Sequence, residues 1–369
     1  MALVHDWLVG FAGGEKVLSS IYSIYPAKIY TLVASKEKQK GMLWEKEDIE
    51  TSFLQKIPFS TKLYRNFLPL FPLAIEQFDL SAHDVIISSS HAVAKGVLTH
   101  SQQLHICYCH SPMRYAWDLY HFHMQHVKGL KKAIAQMTLH YLRNWDMSSA
   151  QRVDAFIANS HNVAKRIQKI YGRESVVIYP PVSTDSFSIA KGKEDYYVAF
   201  SRLVPYKKID LIAQAFSQMP EKKLLIIGCG PEMSKIKKIS GKNVEILGYL
   251  PDEKIRDLLS KAKAFVFAAE EDFGIVMVEA LAAGVPVIAY GRGSSQEILK
   301  QGETGEFFDE QTVPSLCSAI ERFEKKQDCF NPAIIKQSAE RFSETRFAVE
   351  FKDFVEKQKA LRILRPQSF

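Results

Sequence analysis

No apolar run in these 369 residues approaches the roughly 18 positions that a membrane-spanning helix needs. Cysteine is scarce, five in all. An odd handful in a long chain makes no disulfide framework, which points to a reducing, cytoplasmic compartment. The opening MALVHDWLVG has no basic n-region and no cleavage site, so it reads as a first strand and not as a signal peptide. Internal repeats of short period and low-complexity tracts are missing too. So are a GxSxG elbow and a P-loop lysine motif. HICYCH (105–110) and HFHMQH (121–126) invite a zinc reading. Cys107 and Cys109 alternate on one strand face, however, and His121, His123 and His126 have no matching second cluster. No metal site is expected, and the two cysteines read as buried strand residues.

The composition that remains is 47% hydrophobic and 24% charged, that of a soluble globular protein long enough for two cores. The net charge of +7 suits nucleic acid, an anionic membrane or a phosphate-bearing substrate, and does not choose among them. Short β-branched runs alternate with helix-length amphipathic segments from end to end. Strand candidates are 2–8, 28–34, 84–90, 104–109, 153–160 and 175–181. After a polar break at SIAKGKED (188–195) the alternation resumes with 196–203, 223–230, 243–250, 263–269 and 285–291. This is the pattern of two helix-covered parallel sheets in series, an α/β architecture. Ligands of such sheets sit at the carboxyl ends of the strands.

KAFVFAAEEDFGIVMVEALAAGVPVIAYG (263–291) reads strand, loop, helix, glycine turn, strand. Asp272 is the expected N-cap, Gly274 permits close approach, and Gly284 with Pro286 ends the helix. Amides near Phe273, Gly274 and Ile275 then form an anion site. Glu271 precedes the helix and Glu279 lies about two turns into it. At ~1.5 Å rise per residue their separation is at most ~12 Å, near the length of a sugar–diphosphate–ribose unit. Taken alone, an acidic residue at a helix start is the ordinary surface arrangement. SRLVPYKKID (201–210) adds Arg202 at a strand end and Lys207 five residues later. Such a pair would neutralise a departing nucleoside diphosphate, although isolated basic loops are more often solvated. Tyr249 and Leu250 follow another strand and offer weak candidates for base contact. IIGCGPE (226–232) is a lone GxG without a dinucleotide fingerprint, and Gly228 and Gly230 there either admit a ligand or make the turn.

In the first half, HDWLVGFAGGEKVLSSIY (5–22) places Gly13 and Gly14 at a helix start, as a tight turn or a ligand-facing loop. His110 follows a strand directly, where a structural histidine is as common as a functional one. Residues 127–145 carry apolar positions 127, 130, 134, 137 and 141 with lysines off that stripe, usually the mark of a helix packed on a core. With the aromatic and basic segment 59–73, a monotopic membrane contact becomes a further expectation.

With these residues assembled, the chain resembles a family 4 glycosyltransferase of the GT-B fold over nearly its whole length. EEDFGIVMVEAL matches the E-x7-E pattern and SRLVPYKKID the G/S-R-L-x-x-x-K element, with Ser201 where many members have Gly. GGEKVL, ANSHNVAKRI and VIYPPVSTDSF resemble further family segments. HDWL, VIISSSHAVAKG and YCHSPMRYAWD are most similar to the mannosyltransferase-like branch that builds bacterial surface polysaccharides.

The resemblance implies two Rossmann-like domains facing across a cleft, at 1–185 and 186–345, with a helix in 346–369 returning to the first. It implies retaining, metal-independent transfer, with no cofactor beyond a nucleotide-sugar donor, GDP-mannose by branch likeness. Arg202 and Lys207 would bind the diphosphate, Glu279 the ribose and Glu271 the donor sugar. His110 would stand beside that sugar, and Gly13 and Gly14 would line the phosphate. The acceptor would be a saccharide or a polyprenyl-diphosphate-linked saccharide, and the enzyme would be cytoplasmic or peripheral at the inner face of the plasma membrane. Rival readings are an epimerase or UDP-sugar transferase of the same fold, a non-catalytic sugar-nucleotide sensor, and a nucleic-acid-binding protein. The last is disfavoured by scattered basic residues and the lack of an RNP, zinc-finger or helix-turn-helix pattern.

Overall fold

A computed structural model describes residues 1–125 and 127–363; His126 and the last six positions of the expected C-terminal helix lie outside them. The chain forms two compact units, one of Met1–Pro181 with the final helix from Phe347, the other of Val182–Arg346. Each is built on one parallel sheet.

The first sheet contains β1 (Ala2–His5), β2 (Lys28–Thr31), β3 (Glu50–Thr51), β4 (Val85–Ser90), β5 (Leu104–Cys109), β6 (Ala155–Ala158) and β7 (Ser175–Val177). Their spatial order is 3-2-1-4-5-6-7. Ala2 and Val4 enter one buried cluster with Tyr30, Ile86 and Phe71. Leu3 enters another with Ile29, Ile87 and Ile106. Both faces of the central strands are covered, which is why those strands carry long apolar stretches and small buried side chains. The final helix (Glu344–Ile363) adds Phe347, Phe351 and Val355 to the second cluster. Cys107 and Cys109 are buried in β5.

The second sheet contains β8 (Tyr196–Phe200), β9 (Lys223–Ile227), β10 (Val244–Gly248), β11 (Phe265–Phe267), β12 (Val287–Tyr290) and β13 (Gly305–Phe308), in the order 10-9-8-11-12-13. In each sheet the chain reverses its direction of growth once, between β1 and β4 in the first and between β8 and β11 in the second. At such a switch point neighbouring loops leave the sheet in opposite directions and open a crevice at the strands' carboxyl ends.

Helix α1 (Gly13–Ile24) begins with the Glu15 carboxylate accepting from the Ala12 amide at 3.0 Å. Helix α2 (Gly129–Ala150) departs from expectation. Its apolar stripe does not face the core: Leu130 is 77% and Met137 74% exposed, and Ile134 and Tyr141 are exposed with them. The inward face is Leu139, Leu142, Asp146 and Ser149. The reason is polar. Asp146 is wholly buried, paired with the Lys95 ammonium. It also accepts from Trp117 Nε1 at 2.8 Å and from the Tyr171 hydroxyl at 3.0 Å. Breaking such a pair leaves a buried charge, so the pair, and not the stripe, sets the helix rotation.

Candidate functional site

At the switch point of the second sheet, β8 runs into Ser201 and Arg202, followed by a short 3₁₀ turn, Pro205–Lys207. Lys208 then takes φ 55° and caps helix α3 (Ile209–Ser217). That left-handed conformation is uncommon for a lysine, and it turns the chain from the 3₁₀ turn into the helix. Lys207 forms an ion pair with Glu271, from the loop after β11, with both side chains 16% exposed. Tyr206 joins the second cation: its hydroxyl accepts from Arg202 at 2.8 Å, and its ring lies 5.6 Å from the Lys207 ammonium. Arg202, Lys207 and Glu271, named from sequence, are thus connected through Tyr206, which sequence reasoning passed over.

Helix α4 spans Ile275–Ala282 and starts later than expected. The N-cap is Gly274, not Asp272: Gly274 adopts φ 82°, and no side chain caps the helix. A glycine in the left-handed region can end the loop without a capping oxygen. Glu279 consequently lies just over one turn into the helix, about 6 Å along its axis from Ile275 at 1.5 Å per residue, and not two turns in. The remaining distance from Glu271 is covered by loop. Phe273 is buried against Phe342, at a ring-centroid distance of 5.5 Å. The loop is clamped from behind by Ser294, also missed in the sequence. Its amide donates to the Glu271 carbonyl at 3.2 Å and its hydroxyl to the Phe273 carbonyl. A Cβ on Gly293 would stand 2.7 Å from that same Glu271 carbonyl.

Gly228 and Gly230 have a structural account. Cβ atoms there would lie 1.9 Å from the Ser201 carbonyl oxygen and 2.3 Å from that of Leu203. The close approach these glycines permit is to the backbone carrying Arg202. Tyr249, just beyond β10, is 80% exposed, and Leu250 follows it half-buried.

In the first unit, the residues around its own switch point form one network. Ser89 Oγ stands 3.1 Å from His5 Nδ1 and 2.8 Å from His110 Nε2. Gly14 lies against both rings, since a Cβ there would be 3.6 Å from His5 and 3.8 Å from His110. Gly13 opens α1 beside it. Burial, with His91 and His5 nearby, pushes the His110 pKa down to about 3, so the ring is neutral at ordinary pH. Burial likewise lowers His5.

Asp6 is a clamp for the turn after β4. Its carboxylate accepts from the amides of His91, Ala92, Val93 and Ala94 at 2.6–3.0 Å, and lies 3.0 Å from His91 Nδ1. Burial opposes ionisation of this carboxyl, but His91 and the surrounding donors outweigh it and hold the pKa well below the usual carboxylate range. Burial also works against a charged His91; Asp6 again prevails, and the His91 pKa is raised. The pairing of DW (6–7) with SSSH (88–91) across eighty residues leaves no local signal in the sequence.

Comparison with known proteins follows this division of the chain. Residues 36–186 match the model described as Glycosyltransferase Family 4, and residues 182–345 that of Glycosyl transferases group 1. An exopolysaccharide phosphotransferase of Streptomyces coelicolor is 34% identical over 163 residues, 40% of this chain and 17% of that protein. A GDP-mannose-dependent alpha-(1-6)-phosphatidylinositol monomannoside mannosyltransferase of Mycolicibacterium smegmatis is 28% identical over 170 residues, 38% of this chain and 44% of that one. The chain thus spans less than half the length of these curated relatives. Among solved structures, Anabaena HepE in complex with UDP and glucose aligns with a TM-score of 0.70 at 17% identity, covering 96% of this chain and 99% of that one. Sucrose-phosphate synthase of Thermosynechococcus elongatus aligns at 0.72 and 16% identity, over 98% and 100%. At such identities these alignments speak to the fold, which is GT-B, with two Rossmann-like parallel-sheet domains. The two family models together span most of the sequence and meet where the two units meet; the chain belongs to glycosyltransferase family 4.

Proposed function

We propose that this protein transfers a glycosyl group from a nucleotide-sugar donor to a saccharide or lipid-linked saccharide acceptor. The observation that carries the reading is the Lys207–Glu271 pair with Arg202 and Tyr206 at the switch point of the second sheet. As the glycosidic bond breaks, negative charge gathers on the leaving diphosphate. Lys207 and Arg202 offset it, and the first amides of α4 lie at the positive end of a helix. Glu271 accepts from donor-sugar hydroxyls while orienting Lys207, and Glu279 accepts from the ribose. Tyr249 offers an exposed ring for the base. His110, kept neutral by burial, stabilises positive charge at the sugar through its ring dipole; an imidazolium there would oppose it.

The donor is GDP-mannose and the transfer retaining, without a metal. The mannosyltransferase relative and the branch likeness favour this donor over UDP-glucose. A thermal-shift panel of GDP, UDP, ADP and their sugars tests the reading. At a hundredfold excess over Kd a ligand stabilises its fold by about 2.7 kcal/mol, a shift of several degrees. Selective stabilisation by GDP and GDP-mannose is expected, abolished in Lys207→Ala and reduced in Glu271→Ala. Absence of any nucleotide response at millimolar concentration would overturn the proposal, and a response to UDP alone would overturn the choice of donor.

A further inference from the structure

A row of four polar side chains crosses the carboxyl end of the first sheet. Thr31 on β2, His5 on β1 and Ser89 on β4 are register partners across neighbouring strands, and His110 follows β5 directly. Each lies two residues beyond a member of the cluster that packs with α1, namely Ile29, Leu3, Ile87 and Tyr108. The two-residue period of a strand puts all four on that face. Thr31, His5 and Ser89 are at most 1% exposed, whereas His110 is half-buried. The row therefore meets a ligand through His110.

One hydroxyl joins the two rings. Ser89 Oγ is within hydrogen-bond distance of both His5 Nδ1 and His110 Nε2, and it has a single proton to give. Burial keeps both rings neutral, so each carries one N–H. Two arrangements fit. In one, His110 Nε2–H donates to Ser89 and Ser89 donates to His5 Nδ1, which leaves His110 Nδ1 bare and a proton on His5 Nε2. In the other every donor is reversed, His5 Nε2 is bare, and His110 carries Nδ1–H. The tautomers of the two rings are thus coupled through Ser89.

The surroundings of His5 select between them. Its Nε2 is shut off from solvent without a hydrogen-bond partner. Gly14 stands over its Cε1, Glu15 is the next residue, and Glu15 is the strongest of the neighbours that draw a proton to this ring. A bare Nε2 would hold a lone pair in the field of that carboxylate, whereas Nε2–H is attracted by it. We propose that His5 and Ser89 are positioning residues that fix His110 as its Nε2–H tautomer and leave Nδ1 bare for the ligand. Its use in transfer rests on His110 standing beside the donor sugar, as in the proposed function. There the bare nitrogen is the negative end of the ring dipole, suited to a developing positive charge; an Nδ1–H would oppose that charge. The ring is also held by contacts that do not involve Ser89. Gly14 lies against it, the Tyr108 ring is 5.2 Å away, and the Asn159 side-chain amide donates to the His110 carbonyl at 2.9 Å. Loss of Ser89 should therefore change the tautomer and leave the ring in place.

Long-range proton–nitrogen correlation spectra of the full chain with isotope-labelled histidine test this, because protonated and bare ring nitrogens resonate far apart. His5→Phe and His110→Gln assign the two rings by loss of signal. In the parent, His110 and His5 should each show a protonated Nε2 and a bare Nδ1. Ser89→Ala should move both rings toward averaged positions, while Ser89→Thr, which keeps the hydroxyl, should keep the parent pattern. His5→Phe leaves the hydroxyl only His110 to bond, so His110 should turn over to Nδ1–H. Turnover of GDP-mannose should fall by about twofold in Ser89→Ala and about tenfold or more in His5→Phe, in kcat and not in KM, following the fraction of the competent tautomer. Urea midpoints from tryptophan fluorescence establish that each variant is folded. The tautomers are read without donor, so their failure and that of the proposed function are distinguishable. A parent His110 that carries Nδ1–H, or a pattern unmoved by both Ser89→Ala and His5→Phe, would overturn the proposal. Tautomers that change as expected while kcat stays at the parent's value would overturn their role in transfer.

Discussion

Asp6→Asn should destabilise the first unit by about 2–6 kcal/mol, because two buried donors lose their acceptor at about 1–3 kcal/mol each. The carboxylate serves four backbone amides, two on each oxygen, and the His91 ring. Asparagine keeps one acceptor oxygen, and its amide nitrogen would point hydrogens at the two amides served by the other. All four tryptophans, Trp7, Trp44, Trp117 and Trp145, lie in the first unit. Intrinsic fluorescence during urea unfolding therefore reads that unit alone. With a slope of about 2 kcal/mol per molar, the midpoint should fall by roughly 1–3 M. The same substitution should remove two pH dependences of opposite sign. The depressed Asp6 pKa contributes stability that is complete above about pH 4 and is lost as pH falls through its folded value. The raised His91 pKa contributes stability that is complete below about pH 6.5 and is lost as pH rises through its folded value. In Asp6→Asn the His91 resonance should titrate at lower pH. An unchanged urea midpoint together with an unchanged His91 titration would refute the clamp.

Gly274→Ala should cost about 1–2 kcal/mol in the second unit, because an L-residue resists φ 82° and its Cβ would meet the Met277 side chain at 2.6 Å. Nucleotide-induced thermal shifts should diminish while tryptophan-detected unfolding stays put. Gly96→Ala should destabilise the first unit by about 1–3 kcal/mol, since its Cβ would lie 2.2 Å from the Trp145 ring; the urea midpoint reads this directly. His110, with its pKa down near 3, should stay neutral from pH 5 to 8, and its ring carbon resonances should not titrate in that range. A step near pH 6.5 would show that the ring is solvated.

The central strands are legible because both of their faces are buried, so most of their positions demand apolar or small side chains. β13 escapes notice for a local reason. It begins GEFF, where Gly305 is needed because a Cβ would strike the Val287 carbonyl at 2.1 Å. Glu306, wholly buried, is bonded to Gln301. A glycine and a buried charge erase the pattern of a strand. The start of α4 is easily misplaced because an aspartate suggests a side-chain cap, while Gly274 makes a backbone one. Helix α2 is turned away from its expected face because hydrophobic periodicity has no weight for Asp146, whose burial depends on Lys95, fifty-one residues earlier. What sequence pattern misses in each case is a polar or backbone contact between distant segments.

The same distinction bears on how the charged groups would work. Asp6 commits both oxygens within the fold and holds His91 in place, so it is a positioning residue. Lys207 and Glu271 differ, because each carries a group that a donor can take over. If the proposed function holds, an arriving diphosphate competes with Glu271 for the Lys207 ammonium while the sugar hydroxyls supply donors to the carboxylate that is released. Part of the desolvation of both charges is then already met by the ion pair before the donor arrives. Removing Glu271 alone would therefore be expected to free Lys207 as well as to lose hydroxyl contacts. Its effect on nucleotide diphosphate binding should accordingly be smaller than its effect on binding of the nucleotide sugar.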